Sequence, residues 1–299
     1  MLNLQIILFV LMSVGIAAKK LGIISKEGRK CLSDLLIYII LPCNIIHSFM
    51  GKINMSSGFV KNCALAFALS AVIQLFVTLI NKLLFMKIKP SRKSVLSYGM
   101  ICSNSSFIGL PVAQQFYGDL GVLYTSLFQI PIRFTMWTAG LALFTNVDGK
   151  SAFKKLIRHP CIISIFIGFA IMLLPFDMPE IIDSTIKTIS NCTTPVSMIV
   201  IGTILADSNI KTMFSKDALY FSFLRLVALP VFAFLVLMPF RLDKTLVAIC
   251  VIMSAMPAGS TTSILAEKYG CDSVFASQII FVSTLLSIFT ISMLGIMLK

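Results

Sequence analysis

Long apolar stretches separated by short polar segments run through the whole chain. A membrane-spanning helix needs roughly 20 apolar residues, because about 30 Å of hydrocarbon is crossed at about 1.5 Å per residue. The pattern predicts an all-α membrane protein with ten transmembrane helices and no soluble domain. The ten spans lie approximately at 3–18, 32–50, 62–85, 95–116, 121–145, 160–175, 185–206, 218–238, 245–266 and 273–298.

Polar residues interrupt spans 4 and 9 at the depth expected for the bilayer centre. Residues 102–118 read CSNSSFIGLPVAQQFYG, and residues 253–270 read MSAMPAGSTTSILAEKYG. Pro and Gly release backbone groups that lipid cannot hydrogen-bond, so such breaks persist only where protein or a wet cavity meets those groups. We therefore predict two broken helices that form a binding site. A Pro kink in an ordinary packing helix is the alternative for each span alone.

Two recurring features suggest that the chain contains the same unit twice. Leu41-Pro42 in span 2 corresponds to Thr194-Pro195 in span 7, and Tyr117-Gly118 after span 4 corresponds to Tyr269-Gly270 after span 9. Both offsets are about half the chain, which predicts repeats at 1–150 and 151–299 with five spans each. A repeat with an odd number of spans re-enters the membrane from the opposite side. The halves are then inverted, as in secondary transporters that work by alternating access.

Composition agrees with a membrane location, and the charges indicate its orientation. Hydrophobic residues make up 58% of the chain and charged residues 12%, against about 25% charged in a typical soluble domain. With the N-terminus outside, 17 basic residues fall inside, six fall outside, and Arg133 and Arg225 lie within spans. The positive-inside rule then places both termini outside. The net charge of +13 reflects this topology rather than nucleic-acid binding.

Several kinds of chemistry find no support in the sequence. The eight cysteines are scattered without a Cys-x-x-Cys pair, which argues against a zinc site or a disulfide framework. No His-Glu-x-x-His motif, paired-Asp motif or Ser/His dyad occurs in a span, so we do not expect an enzyme. We expect no metal and no cofactor.

The strings Leu41-Pro42, Asn104-Ser105-Ser106-Phe107-Ile108-Gly109-Leu110-Pro111 and Met256-Pro257-Ala258 resemble those of the auxin efflux carrier family of membrane transporters. The resemblance covers the whole chain and is closest to short prokaryotic members, which include malate and malonate permeases. It implies a fold similar to that of the sodium/bile-acid symporters, in which broken spans 4 and 9 cross. It also implies a scaffold of spans 1, 2, 6 and 7, a transport domain of spans 3–5 and 8–10, and an elevator mechanism.

The broken helices define the chemistry expected at the site. The N-terminal end of a half-helix carries roughly +0.5 of a charge and free N–H groups, which suit an organic anion, whereas the C-terminal end presents carbonyls that could hold a cation. Neither break contains Asp or Glu, which leaves uniport or coupling to sodium or protons open. The predicted substrate-binding residues are Asn44, Ser103, Asn104, Ser105, Gly109, Pro111, Thr194, Pro195, Pro257, Gly259, Ser260 and Thr261.

Two arginines within spans receive different interpretations. A charge inside the bilayer costs several kcal/mol unless it is paired or hydrated. Arg133 lies deep in span 5 and is predicted to be a counter-charge for the anion. Arg225 follows Lys216 and Asp217 closely and is predicted to extend its guanidinium to the inner surface.

These features favour a transporter of a small organic anion, a carboxylate, in the inner membrane of a bacterium. A membrane-embedded receptor that binds such a ligand without moving it is the alternative, and the absence of an output domain counts against it. The expected partners are the anion and the lipid bilayer, with no nucleic acid. The sequence leaves the oligomeric state open, a homodimer included.

The predicted topology can be tested by cysteine labelling from outside in a background free of native cysteines. The 17-to-six distribution of basic residues predicts that cysteines placed near Asp177 and Lys299 react, whereas those near Lys89 and Lys154 do not. Labelling at Lys89 from outside would contradict the orientation.

Overall fold

The computed structural model describes residues 2–50, 57–86, 88–144, 158, 160–172, 178–206, 214–259 and 261–298. Helices account for most of these residues, and the described part contains no β-strand, only one isolated backbone bridge. The prediction of an all-α fold is confirmed.

The helices are numbered in chain order. They are α1 (Leu2–Lys20), α2 (Lys26–Leu35), α3 (Leu41–Met50), α4 (Ser57–Leu84), α5 (Pro90–Ile101), α6 (Leu110–Thr135), α7 (Pro160–Met172), α8 (Glu180–Asn191), α9 (Thr193–Ala206), α10 (Lys216–Phe223), α11 (Leu229–Leu237), α12 (Lys244–Ser254), α13 (Thr261–Lys268) and α14 (Ser273–Met297). Wider π-helical turns occupy Leu36–Ile40, Ser105–Gly109, Met136–Gly140 and Leu224–Ala228. Short 3₁₀ turns occupy Leu141–Leu143 and Met238–Phe240.

Four helical segments within the described ranges are long and apolar enough to cross a bilayer. They are Lys26–His47, Gly58–Asn81, Lys216–Phe240 and Ser273–Met297. The apolar helices Pro160–Ile171 and Lys244–Ser254 are shorter. A broken span yields two short helices instead of one long helix, so the count of ten spans stays a prediction.

Helix α4 shows why this protein needs lipid around it. Val72, Leu75, Leu79 and Leu83 recur every three or four residues along one face, and each is at least 60% exposed. Side chains at this spacing form one continuous stripe on a helix. An apolar stripe of this length on a soluble protein would be an association surface, whereas in a bilayer it faces hydrocarbon.

The chain divides into two compact units, each assembled from separate stretches. Unit 1 contains residues 1–63, 106–127 and 157–207, and unit 2 contains residues 64–105, 128–156 and 208–299. The four spans predicted for the scaffold all fall in unit 1. The assignment of scaffold and transport roles, and the repeat at 1–150 and 151–299, stay predictions.

Unit 1 is built on two helix contacts. Helix α1 packs along α9, and α3 packs against α7 and α8. Gly15 of α1 and Gly202 of α9 allow the first contact, because a Cβ at Gly15 would overlap the carbonyl of Ile199 and one at Gly202 the carbonyl of Met12. The two helix backbones therefore touch where these glycines lie.

Unit 2 is organised around α14, which packs against α10, α12, α13 and α5. Arg92 at the start of α5 joins the ends of three helices: its guanidinium lies 3.0 Å from Asp217 Oδ2 and 3.2 Å from Asp272 Oδ2. Asp217 lies in the first turn of α10, and Asp272 caps α14. The loops that carry these three residues are all predicted to lie on the inner side of the membrane. The ion pairs are consistent with this prediction, because they place the three loops on the same side.

The glycine interface of unit 1 predicts that α1 and α9 do not tolerate a methyl group. Gly15→Ala should lower stability by about 1–3 kcal/mol, because backbone atoms must move apart to admit the Cβ. Thermal unfolding in detergent measures the loss. The control is Gly28→Ala in α2, where the nearest atom to the added Cβ would be Ser25 Oγ at an ordinary 3.6 Å. A Gly15→Ala variant as stable as Gly28→Ala would contradict the close helix contact.

Candidate functional site

Both predicted broken helices contain a non-helical segment in unit 2. Helix α5 ends at Ile101, and the chain becomes helical again at Ser105. Helix α12 ends at Ser254, and α13 begins at Thr261. We call residues 102–104 and 255–259 together the crossing.

The two segments of the crossing pair with each other through their backbones. Ser103 and Ala258 lie opposite one another as an antiparallel pair. The N–H of Asn104 donates to the carbonyl of Pro257 at 2.8 Å, and the N–H of Gly259 donates to the carbonyl of Cys102 at 2.9 Å. Each break thus supplies hydrogen-bond partners that the other lost when its helix ended.

Side chains from other helices satisfy further backbone groups of the crossing. Ser283 Oγ of α14 accepts the N–H of Ala258 at 3.2 Å. Gln129 Nε2 of α6 donates to the carbonyl of Ser105 at 3.1 Å, and Arg133 Nη2 donates to Gln129 Oε1 at 2.9 Å. Arg133, the predicted counter-charge, is buried, and Gln129 connects its guanidinium to the carbonyl of Ser105 beside the crossing.

The prediction that Arg225 extends to the inner surface is wrong. Its side chain is only 1% exposed, and it donates from Nε to the carbonyl of Met256 at 2.8 Å and from Nη1 to the carbonyl of Met100 at 2.9 Å. These carbonyls belong to the C-terminal side of both broken helices. A guanidinium can be buried when interior acceptors replace the hydrogen bonds that it would otherwise make to water, and these two carbonyls do so.

The predicted break at Gly109-Leu110-Pro111 is also misplaced. The chain is already helical from Ser105, so the break lies at residues 102–104 and contains Asn104 itself. Pro111 lacks an N–H, and the π-helical turn Ser105–Gly109 just before it widens the helix where that bond is missing. The N-terminal end expected near Gly109 accordingly moves to Ser105.

Small and polar side chains surround the crossing. Cys102 Sγ lies 3.1 Å from Thr261 Oγ1, and a Cβ at Gly259 would come within 3.1 Å of that sulfur. The hydroxyls of Ser103 and Thr262 are buried and have no hydrogen-bond partner among the described residues. Asn104 is 9% exposed. Polar atoms buried without partners are expected where a ligand or water binds.

Of the twelve predicted substrate-binding residues, four lie in the crossing and two lie directly beside it. The four are Ser103, Asn104, Pro257 and Gly259, and the two are Ser105 and Thr261. Ser260 lies outside the described residues. The other five belong to unit 1, where their part in a substrate site stays a prediction; they are Asn44, Gly109, Pro111, Thr194 and Pro195.

Asn44 belongs to a polar cluster inside unit 1. Its Nδ2 donates to Gln114 Oε1 at 3.1 Å and to Ser190 Oγ at 2.9 Å, and its Oδ1 is buried without a partner in the described part of the chain. Nearby on the chain, His47 Nδ1 lies 3.6 Å from Asp119 Oδ1, and the imidazole lowers the pKa of that carboxyl. Asp119 follows the turn at Gly118, whose φ of 59° favours glycine.

Comparison with known proteins identifies the family of this chain. The profile of the family described as membrane transport protein matches residues 2–154 and 149–294. The chain belongs to the membrane transport protein family. This confirms the resemblance to auxin efflux carriers, which form this family, and the family is one of membrane transporters.

Individual relatives of this family align over most of the chain. An uncharacterized transporter of Methanocaldococcus jannaschii is 23% identical over 98% of this chain and 97% of its own. A protein of Rhizobium meliloti named as a candidate malonate transporter is 25% identical over 63% of this chain and 62% of its own. An uncharacterized transporter of Methanothermobacter thermautotrophicus is 22% identical over 97% of this chain and 95% of its own.

The bond from Ala258 to Ser283 yields a prediction that the family match alone does not. Ser283→Ala leaves a buried N–H without its acceptor and should cost about 1–3 kcal/mol of stability. Ser287→Ala, one turn further along α14, is the matched control, because that buried hydroxyl donates within its own helix to the carbonyl of Thr284. Equal melting temperatures for the two variants would remove Ser283 from the support of the crossing.

Proposed function

We propose that the protein is a secondary active or facilitative transporter of a small organic anion, a carboxylate, and that the anion binds at the crossing in unit 2. Membership of a transporter family supports transport. The bacterial inner membrane is the proposed location, with both termini outside as the basic residues predict. The uptake experiment described below tests whether transport is coupled to a sodium or proton gradient.

The crossing itself is the observation that carries this proposal. The helical run from Ser105 and helix α13 from Thr261 both begin where the crossing ends. The first N–H groups of a helix lack partners within it, and its N-terminal end carries roughly +0.5 of a charge. Two such ends lie beside the hydroxyls of Ser103 and Thr262, which have no hydrogen-bond partner within the described ranges, and together they suit an anion with oxygen atoms.

The choice of a carboxylate has two supports. Arg133 and Arg225 are both buried in unit 2, whereas residues 102–118 contain no acidic residue and residues 253–266 contain none either. Positive charge near helix N-termini favours an anion over a cation. A relative in Rhizobium meliloti is named as a candidate malonate transporter, which makes malonate the first compound to test.

Alternating access through an inverted repeat remains part of the proposal, and two observations support it. Gly118 and Gly270, which correspond in the predicted repeat, both adopt positive φ, 59° and 69°. In unit 1, α1 of span 1 packs against α9 of span 7, and α3 of span 2 packs against α7 of span 6. In the predicted repeat, span 1 corresponds to span 6 and span 2 to span 7. The contact between spans 1 and 7 therefore corresponds to the contact between spans 6 and 2, as a two-fold relation requires.

A receptor that binds the anion without moving it is the competing function. Uptake of labelled malonate and malate by proteoliposomes separates the two, with sodium and pH gradients imposed one at a time. The proposal predicts uptake above that of protein-free liposomes. Malonate binding by purified protein without uptake under any gradient would favour the receptor.

Asn104 provides the sharpest test of where the anion binds. Its backbone N–H is bonded to Pro257, and the residue, with its amide side chain, is only 9% exposed. If that amide donates to the anion, Asn104→Ala loses one or two charge-assisted bonds of about 1.5–3 kcal/mol each. Malonate affinity, measured from ligand-dependent melting shifts, should fall roughly ten- to a hundredfold.

Asn62→Ala in α4 is the control for this prediction, since Asn62 lies in unit 1 at the predicted end of span 3. It should leave the affinity nearly unchanged. A lower melting temperature for Asn104→Ala with an unchanged response to malonate would mean that Asn104 only supports the backbone.

A further inference from the structure

Arg225 occupies an unusual position for a charged residue in a membrane protein. It lies in the π-helical turn Leu224–Ala228, with 1% of its surface exposed, and its guanidinium reaches the carbonyls of Met100 and Met256. Neither acceptor is charged. No carboxylate pairs with Arg225 in the part of the chain that the structure describes.

The two carbonyls explain how this charge is accommodated. Met100 lies in the last turn of α5, which ends at Ile101, and Met256 lies just after the end of α12 at Ser254. The final carbonyls of a helix lack intrahelical donors, and each helix C-terminus carries roughly −0.5 of a charge. Two such ends sum to about one negative charge. A single guanidinium balances them.

Other carbonyls at the crossing are also occupied. The carbonyl of Cys102 accepts the N–H of Gly259, that of Pro257 accepts the N–H of Asn104, and that of Ser105 accepts from Gln129. A sodium ion needs several oxygen ligands, and each of these three oxygens already accepts one hydrogen bond. The two carbonyls at the ends of the helices, which could have helped to hold a cation, bind Arg225 instead.

We propose that Arg225 is a built-in cation of the crossing: it neutralises the C-terminal ends of α5 and α12 in place of a bound sodium ion. The N-terminal ends at Ser105 and Thr261 then keep their positive potential without any added ion. Anion binding therefore requires no sodium. This last step depends on the proposed anion site, whereas the role of Arg225 at the helix ends does not.

The first experiment needs no substrate. Purified protein is melted in sodium chloride and in choline chloride at equal ionic strength, as wild type, Arg225→Met and Arg225→Lys. For wild type, the melting temperature in sodium chloride should equal that in choline chloride, and the same should hold for Arg225→Lys, because each protein carries a fixed cation at this position. Arg225→Met should melt several degrees lower in choline and recover at least half of that loss in sodium, which can bind the vacated carbonyls.

Arg92→Met is the matched control, because the partners of Arg92 in the same unit are the carboxylates of Asp217 and Asp272 rather than carbonyls. Its melting temperature should show no specific recovery in sodium. Sodium-specific stabilisation of the wild type, or an Arg225→Met variant that melts like wild type in choline, would overturn the proposal. If Arg225→Met is recovered folded only from membranes solubilised in sodium, the proposal is supported. If the variant is not recovered folded in either salt, the claim that sodium can replace Arg225 is overturned.

The second experiment adds malonate as the probe. Wild type should show the same malonate-induced melting shift in choline as in sodium, and Arg225→Met in sodium should bind malonate at least as tightly as in choline. In choline the affinity of Arg225→Met should fall about tenfold, because a buried unit charge near the anion is lost. A wild-type shift that requires sodium would contradict sodium-independent binding. If the melting temperature of the wild type is unchanged by malonate and other carboxylates while the salt experiment gives its predicted result, the proposed substrate class is wrong. In that case the role of Arg225 at the helix ends is still supported.

Discussion

A bilayer provides no hydrogen-bond partners for a polypeptide backbone, and unit 2 is organised by this constraint. Two helices stop inside the apolar region, at Ile101 and Ser254. Each stop releases N–H and carbonyl groups that would cost several kcal/mol if left in hydrocarbon. In the structure, the two interrupted segments form backbone hydrogen bonds with each other. Each break supplies two hydrogen bonds that the other needs, which is a physical reason for the chain to contain both.

The remaining groups of the crossing are satisfied by side chains that converge from separate helices. Ser283 accepts from Ala258, Gln129 donates to Ser105, and Arg225 donates to Met100 and Met256. These bonds divide the electrostatics of the site into two sides. The carbonyl side is closed by a buried guanidinium. On the other side the helices begin, at Ser105 and Thr261, and the positive ends of these helices support the proposal of an anion.

The crossing could be located from the sequence because its signal is local. Polar residues, Pro and Gly within apolar stretches identified residues 102–118 and 253–270, and the glycines that end these stretches, Gly118 and Gly270, occupy turns with positive φ. The position of the break within the first stretch was not predictable from Pro111. A π-helical turn accommodates that proline, and the interruption occurs where the backbone of Ser103 can pair with Ala258.

The residues that sequence analysis missed act over long separations. Arg225 contacts a carbonyl 125 residues away and another 31 residues away, and nothing in its own neighbourhood reveals this. Lys216 and Asp217 close by suggested an interfacial arginine instead. Ser283 lies in an apolar helix where a serine usually bonds to its own backbone, as it also does here. Only the fold shows that its oxygen also serves Ala258.

The pairing of Ser103 with Ala258 is the geometry on which this description of the site depends, and a disulfide tests it directly. The bonds from Asn104 to Pro257 and from Gly259 to Cys102 make 103 and 258 a non-hydrogen-bonded antiparallel pair, for which Cα atoms lie about 4.5 Å apart. That separation is within the usual range for a disulfide, about 4.4–6.8 Å. With the native cysteines replaced by serine, Ser103→Cys combined with Ala258→Cys should form an intrachain disulfide under mild oxidation in intact membranes, and neither single variant should. A folded double variant whose two thiols stay free would contradict the crossing.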